Sequence, residues 1–378
     1  MRLAGSRHKK PIHKRSHPEA VILFCLIALI GVGLLMIYSS SAIYAEKIYG
    51  SPYHFLSRQV FNLGLGSALL FVAIRVPYQK YQPLYPILVL AAFVMMLAVL
   101  IPGIGTSVGN ARRWIRIGGI GFQPSEFVKL ALILWMASFL SRKKDEIRQF
   151  SRGLFPALLV MGFFFFLLIL QPDFGTAVLI SLTLFTMIFV AGLRPSHMLL
   201  SLSGLGALGV MLIFSKSYRL RRVTGFLDPW SDPLDTGFQL IQSFIAFGRG
   251  GIFGKDLGNS TQKLFFLPEA HTDFIFSILA EETGFLGVLF VVTLVVIFTF
   301  KGFQVGQECN NDFGRILAVG ITTLISLQSI LNMGVVVGLL PTKGIPLPFV
   351  SYGGTSLIFG MFMVGILINI AKTLPVDE

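Results

Sequence analysis

Apolar stretches long enough to cross a bilayer recur from one end of this 378-residue chain to the other. They lie near 20–42, 59–76, 84–102, 123–141, 154–170, 177–192, 198–215, 274–300, 315–338 and 353–371. A helix needs about 20 apolar residues to span membrane hydrocarbon, where every backbone polar group must be satisfied within the protein. The chain is therefore expected to be an all-α integral membrane protein with ten transmembrane helices. A secretory signal would supply one short run rather than ten. Composition agrees, since 54% of residues are hydrophobic and only 13% charged, with a mean hydropathy of +0.76.

Loop charge predicts the orientation, because Lys and Arg accumulate in short cytoplasmic loops. With the N-terminus inside, the cytoplasmic segments hold 17 Lys and Arg against six in the short segments opposite. The segment 216–273 holds seven more, but long translocated loops largely escape the bias. Both termini are thus expected inside (N-in, C-in). The expected layout is a basic tail over 1–19, one ten-helix domain over 20–372 and a short cytoplasmic tail over 373–378. Residues 216–273 form its one large extracytoplasmic loop, between helices 7 and 8. A net charge of +13 raises the question of nucleic acid, yet "RHKKPIHKR" (Arg7 to Arg15) abuts the first span. It reads as a topology anchor drawn to anionic lipid, and no nucleic-acid partner is expected. Cys25 falls in a span and Cys309 in a cytoplasmic loop, so no disulfide is expected.

Within the long loop, "YRLRRVTGFLDPWSDPLDTG" carries turn chemistry. Asp228, Asp232 and Asp235 lack calcium-loop spacing and suit turn caps. Phe238, Ile241, Phe244, Ile245 and Gly248 fall at helical spacing, with Thr236 and Gln239 as a capping box. This amphipathic helix either lies on the membrane surface or packs over the bundle.

Ionisable groups inside a membrane cost at least about 2.5–3.5 kcal/mol, so they are functional candidates by default. Helix 4 opens with "FQPSEFVKL", in which Glu126 and Lys129 share a face. They form either a structural ion pair or a charged pair facing a polar cavity. Asp173 in "QPDFGTA" is either an ordinary helix-boundary residue or part of such a cavity. Lys343 is the single charge in "LPTKGIPLPFVSYGG", whose Pro- and Gly-rich backbone is tolerable at membrane depth only where it lines a cavity. An interface anchor is the other reading of Lys343. Arg112, Arg113 and Arg116 around Trp114 suit either a membrane interface or a phosphate headgroup.

The stretch "LPEAHTDFIFSILAEE" (Leu267 to Glu282) places four carboxylates in sixteen residues. Asp273 follows Pro268, Glu269 and His271, where an irregular loop meets a helix at the edge of water. That is a position for a base acting on a substrate arriving from outside. Glu281 and Glu282 lie about 12–14 Å deeper, with at least one pointing inward to a polar partner. No P-loop, GxSxG, HExxH or CxxC occurs, so nucleotide hydrolysis is not expected.

Together "GNARRWIRIGGIGFQPSEFVKLAL", "QPDFGTA", "GNSTQKLFFLPEAHTDFIFSILAEETG" and "LPTKGIPLPFVSYGGTS" resemble the SEDS family of shape, elongation, division and sporulation proteins. The resemblance runs through essentially all ten spans. "GNSTQKL" and Lys343 in "PTKG" resemble its cell-division branch more than its elongation branch. The resemblance implies a bacterial peptidoglycan glycosyltransferase. Such an enzyme polymerises lipid II, a disaccharide-pentapeptide on undecaprenyl pyrophosphate, on the outer face of the cytoplasmic membrane during septal wall synthesis. It implies an essential role for Asp273, and it matches Glu126 and Lys129 to the family's Glu and Lys.

This chemistry needs one carboxylate as base, assigned to Asp273, and cations for the departing pyrophosphate, assigned to Arg112, Arg113, Lys263 and Lys343. Glu126, Lys129, Glu269, His271 and Ser351 complete the candidate substrate-binding set, and Asp173, Glu281 and Glu282 a polar cavity. No cofactor is assigned, although a divalent cation (Mg2+ or Mn2+) is compatible with a pyrophosphate. The expected partners are lipid II and polyprenyl-linked glycan, a class B penicillin-binding protein transpeptidase, and division-site regulatory membrane proteins. A lipid II flippase and an elongation-type polymerase are the rival functions. The clustering of the specific polar motifs on the outer face argues against transport.

Overall fold

In a computed structural model of the chain, the structure describes residues 17–108, 111–117, 120–144, 146–264, 267–342 and 344–374. In chain order the elements are α1 (Pro18–Tyr49), α2 (His54–Arg75), α3 (Tyr85–Leu100, entered through a 3-10 turn), β1 (Gly105–Val108), β2 (Ala111–Ile117) and β3 (Ile120–Phe122). Then follow α4 (Pro124–Arg142), α5 (Phe155–Leu170), α6 (Phe174–Val190), α7 (Pro195–Phe214), α8 (Ser217–Leu227) and α9 (Phe238–Gly250). The chain finishes with α10 (Ile275–Glu308), α11 (Asp312–Val336) and α12 (Gly354–Lys372). Among the described residues, nine helical segments are long and apolar enough to cross a membrane. The remaining expected span is α6, whose 17 residues put it at the lower limit for crossing.

Helices α4, α11 and α12 form the centre, buried over most of their length, whereas α7 buries no residue of its apolar stretch. The outer helices present side chains such as Phe24, Leu199 and Phe214 outward, each more than half exposed. Bare apolar surface of this kind is stable in lipid and not in water. The helices run back and forth, so alternate connections meet at one end. There β2 contacts the α5–α6 turn through Arg113, and Tyr352 pairs with His271. At the opposite end, Asn369 holds Tyr78 and Ile74, and Lys144 pairs with Asp312.

Three local features depart from the sequence expectation. A three-stranded antiparallel sheet in the order β1-β2-β3 fills the loop between α3 and α4. Residues 217–227, expected as turns, form helix α8, while Asp228 and Asp232 do cap the following turns at Trp230 and Thr236. The amphipathic helix α9 is present, but no side chain caps it, since the Thr236 hydroxyl is engaged by Asp232. Of the two placements, packing over the bundle is the one observed. Leu240, Ile241, Ser243 and Ala246 are buried, and the Ser243 hydroxyl bonds Ser277 of α10 and the Val336 carbonyl of α11.

Helix α10 is broken at Gly284, whose φ of 67° and ψ of −164° leave the helical region. A break at membrane depth exposes N–H and C=O groups that lipid cannot satisfy. The loop after α9 supplies the partners: Phe285 N–H donates to Gly251 O at 2.9 Å, Leu286 N–H to Ile252 O at 3.3 Å, and Lys255 N–H to Glu281 O at 3.1 Å. Only glycine adopts that φ without a Cβ penalty.

Candidate active site

Asp273 sits two residues before α10, in a turn whose geometry is set at Glu269, a left-handed residue with φ of 57°. The Glu269 carbonyl accepts from Thr272 N–H at 3.1 Å and Phe274 N–H at 3.2 Å, and the Thr272 hydroxyl donates to its carboxylate at 2.6 Å. Phe274 is buried and anchors the turn to the core.

Three successive carbonyls of this turn are taken by donors from α11 and from the segment between α11 and α12. His271 O accepts from Tyr352 N–H at 3.0 Å, Thr272 O from the Ser351 hydroxyl at 2.6 Å, and Asp273 O from Asn332 Nδ2 at 2.8 Å. The other amide hydrogen of Asn332 reaches Ile345 O, also at 2.8 Å. One turn away on α11, Gln328 Nε2 donates to Pro346 O at 2.9 Å, while Leu347 N–H donates to the Ser351 hydroxyl at 2.8 Å. Three backbone groups of the Pro-rich segment, Ile345 O, Pro346 O and Leu347 N–H, are thus satisfied by side chains, the kind of pairing an irregular segment of a membrane protein requires. A Cβ at Gly344 would stand 2.9 Å from Asp273 Oδ2, so the carboxylate rests against bare backbone. Lys343 lies outside the described residues.

Burial and the like charges of Glu269 and Asp173 push the Asp273 carboxyl up to about 7, against the opposing pull of Arg113 and Arg222. His271 is held below its ordinary value by burial, with Glu269 acting the other way, so its imidazole is neutral at neutral pH. Its ring packs against Phe55 at 4.5 Å, Tyr44 at 5.8 Å and Tyr352 at 5.9 Å.

Arg113 faces inward from β2. Its guanidinium donates to Gln171 O at 3.2 Å and to Pro172 O, and it stands 3.7 Å from Asp173. Asp173 caps α6 by accepting from Thr176 N–H, and its Oδ2 is buried with no hydrogen-bond partner among the described residues. Asp173 thus bounds a helix, and its carboxylate also acts on Asp273 as a like charge. Arg112 and Arg116 on the other side of the strand are exposed.

Glu126 and Lys129 form a buried ion pair at 2.7 Å, and the ammonium also reaches Gln328 Oε1 at 3.1 Å. Through Gln328 the pair is wired to Pro346 and hence to the Pro-rich segment. Lys263, expected to meet a pyrophosphate, lies elsewhere in the charge balance. Its ammonium is buried and divided among Glu282 at 2.9 Å, Gly258 O at 2.6 Å and the Ser39 hydroxyl at 3.1 Å. Glu282 also accepts from Ser39. Glu281 takes the N–H groups of Thr261 and Gln262, both at 3.2 Å, and the hydroxyls of Ser260 and Thr261. Two adjacent buried acids require one cation and a nest of donors, and this loop provides both.

The residues that sequence reasoning missed are Asn332, Gln328, Ser39 and Arg222. Gln328 and Asn332 carried a signal, being polar residues four apart on one face of an apolar span. Ser39 carried none. Among the described residues no three His, Cys, Asp or Glu side chains converge as a metal site; a divalent ion would draw most of its ligands from a pyrophosphate and water.

The profile of the FtsW/RodA/SpoVE family, described as "Cell cycle protein", matches residues 19–375. The chain belongs to this family. Among FtsW/RodA/SpoVE relatives, it is 43% identical to the "Probable peptidoglycan glycosyltransferase FtsW" of Geobacter sp. (strain M18), over 93% of this chain and 96% of that one. It is also 41% identical to the "Stage V sporulation protein E" of Bacillus subtilis (strain 168), over 95% and 98%. A solved structure described under "Structural coordination of polymerization and crosslinking by a peptidoglycan synthase complex" superposes with a TM-score of 0.77 at 30% identity, covering 93% of this chain and 96% of that chain. The rod shape determining protein RodA of Thermus thermophilus superposes at 0.68 with 27% identity, covering 94% and 97%.

Proposed function

We propose that this member of the FtsW/RodA/SpoVE family is a peptidoglycan glycosyltransferase of the cell-division branch, polymerising lipid II on the outer face of the bacterial cytoplasmic membrane at the septum. The observation that carries the reading is Asp273: a carboxyl with a raised pKa, fixed by its backbone at the mouth of the bundle. The Lys and Arg distribution supports ten spans with both termini inside, which puts that mouth outside.

Asp273 takes the proton of the acceptor sugar hydroxyl. The freed oxygen forms a bond to the anomeric carbon of the donor, and the bond from that carbon to the undecaprenyl pyrophosphate breaks, its electron pair leaving with the phosphate oxygen. The Glu269 carboxylate is engaged by Thr272, which favours direct displacement with one carboxylate over a covalent intermediate with two. Arg112 and Arg222 form no ion pair among the described residues and are the candidate cations for the leaving group, together with Lys343. Arg113 is engaged by the α5–α6 turn and tunes Asp273 instead. No step is assigned to a metal ion. The likeness to a peptidoglycan synthase complex that coordinates polymerization and crosslinking supports a transpeptidase of the class B penicillin-binding type as partner.

The test is Asp273→Asn in purified protein with its transpeptidase partner and labelled lipid II. Glycan polymer disappears while the fold and the complex persist. Normal polymer from that variant refutes the assignment, and lipid II crossing vesicles without polymer formation establishes the flippase instead.

A further inference from the structure

The role of Asp273 as base, on which this inference rests, demands that its carboxylate be held still, and one buried side chain does this from a distance. Asn332 is 2% exposed and lies on α11, away from the loop that carries the base. A side-chain amide offers two hydrogens, and here each meets a different backbone carbonyl: that of Asp273 and that of Ile345, both at 2.8 Å. The orientation of the amide is fixed by these partners, since the flipped form would set its oxygen against two carbonyl oxygens. Ile345 adjoins Gly344, the residue whose bare Cα faces Asp273 Oδ2. The contacts therefore close a circuit. Asn332 ties the backbone of the base to one point of the Pro-rich segment, and the carboxylate of the same residue rests on the neighbouring point.

We propose that Asn332 is a positioning residue for Asp273, pinning the turn of the base to the Ile345 backbone so that the carboxylate keeps its seat against Gly344. A group held in this way is rigid without touching substrate. Misplacement by about 1 Å of a group aligned for reaction costs on the order of 100-fold in rate.

Asn369 supplies a matched control. It too is buried and makes two hydrogen bonds through its amide, accepting from Tyr78 N–H at 2.9 Å and donating to Ile74 O at 2.8 Å, but at the opposite end of the bundle. Asn332→Leu and Asn369→Leu keep the approximate side-chain shape, and each removes two buried hydrogen bonds to backbone groups. Both are assayed with fluorescent lipid II and the transpeptidase partner, beside Asp273→Asn, for kcat, KM and the pH midpoint of kcat. Among the described residues the charged groups that face Asp273 are Glu269, Asp173, Arg113 and Arg222, and all of them stay in place in Asn332→Leu.

For Asn332→Leu, kcat per folded molecule falls about 10- to 100-fold, KM for lipid II changes less than about twofold, and the midpoint moves down as the carboxyl slips toward water. Asn369→Leu keeps kcat and midpoint. A wild-type kcat and midpoint in Asn332→Leu, with Asp273→Asn inactive, overturns the positioning role and leaves the base in place. An equal fall of kcat in both Leu variants also overturns it, as the loss would then come from general loosening. Full activity in Asp273→Asn overturns the base itself. If Asn332→Leu does not fold, Asn332→Gln carries the same comparison, with the donor retained on a longer arm and the same split at smaller size.

Discussion

Polymerisation should rise with pH through neutrality, and the structure sets both the window and the direction in which neighbours move it. As the proposed base, Asp273 works only when ionised, and its carboxyl is raised from the ordinary carboxylate range to about 7. At pH 6 about one-tenth of the molecules carry the ionised base and at pH 8 about nine-tenths, so kcat increases about tenfold between them. The largest cause is burial, followed by repulsion from Glu269. Glu269→Gln removes that repulsion and moves the midpoint down, whereas Arg222→Gln removes a stabilising cation and moves it up. Folding stability runs the other way. A carboxyl raised in the folded state favours the fold at low pH, and that contribution is lost as pH climbs through about 7. Initial rates with fluorescent lipid II from pH 5 to 9, beside thermal unfolding in the same detergent, separate the two trends. A midpoint in the ordinary carboxylate range, or an upward shift in Glu269→Gln, refutes the reasoning.

Two further outcomes follow from the packing. Removing Glu126 alone strands Lys129 in the core and lowers stability by about 3–5 kcal/mol, whereas Glu126→Leu with Lys129→Met restores most of it; thermal unfolding of the single and double variants measures the difference. Gly344→Ala sets a methyl 2.9 Å from Asp273 Oδ2 and abolishes polymerisation in a folded protein, read as lost glycan product with an unchanged gel-filtration profile.

The bundle was legible because each span must be predominantly apolar over about 20 residues, a demand that recurs in run after run between Val21 and Ile370. Asp273 was legible for a related reason: a carboxylate at the rim of an apolar helix needs an explanation. What holds it was not. The carbonyls of His271, Thr272 and Asp273 are bound by Tyr352, Ser351 and Asn332, far along the chain and without local pattern. Lys263 went astray because its partners, Ser39 and Glu282, are brought to it only by the packing of α1 and α10. The sheet of β1, β2 and β3 escaped notice because β1 and β3 have only four and three residues, each with a glycine, and β2 places Arg112 beside Arg113 and Trp114 beside Ile115, which breaks the alternation of polar and apolar residues.

The discontinuity in α10 has a spatial consequence. From Ile275 to Thr283 the upper limb rises about 14 Å at 1.5 Å per residue, and the loop after α9 grips its foot through Gly251, Ile252 and Lys255. The turn that carries Asp273 is therefore mounted on a short strut braced at both ends, by that loop at its foot and by Asn332, Ser351 and Tyr352 at its tip.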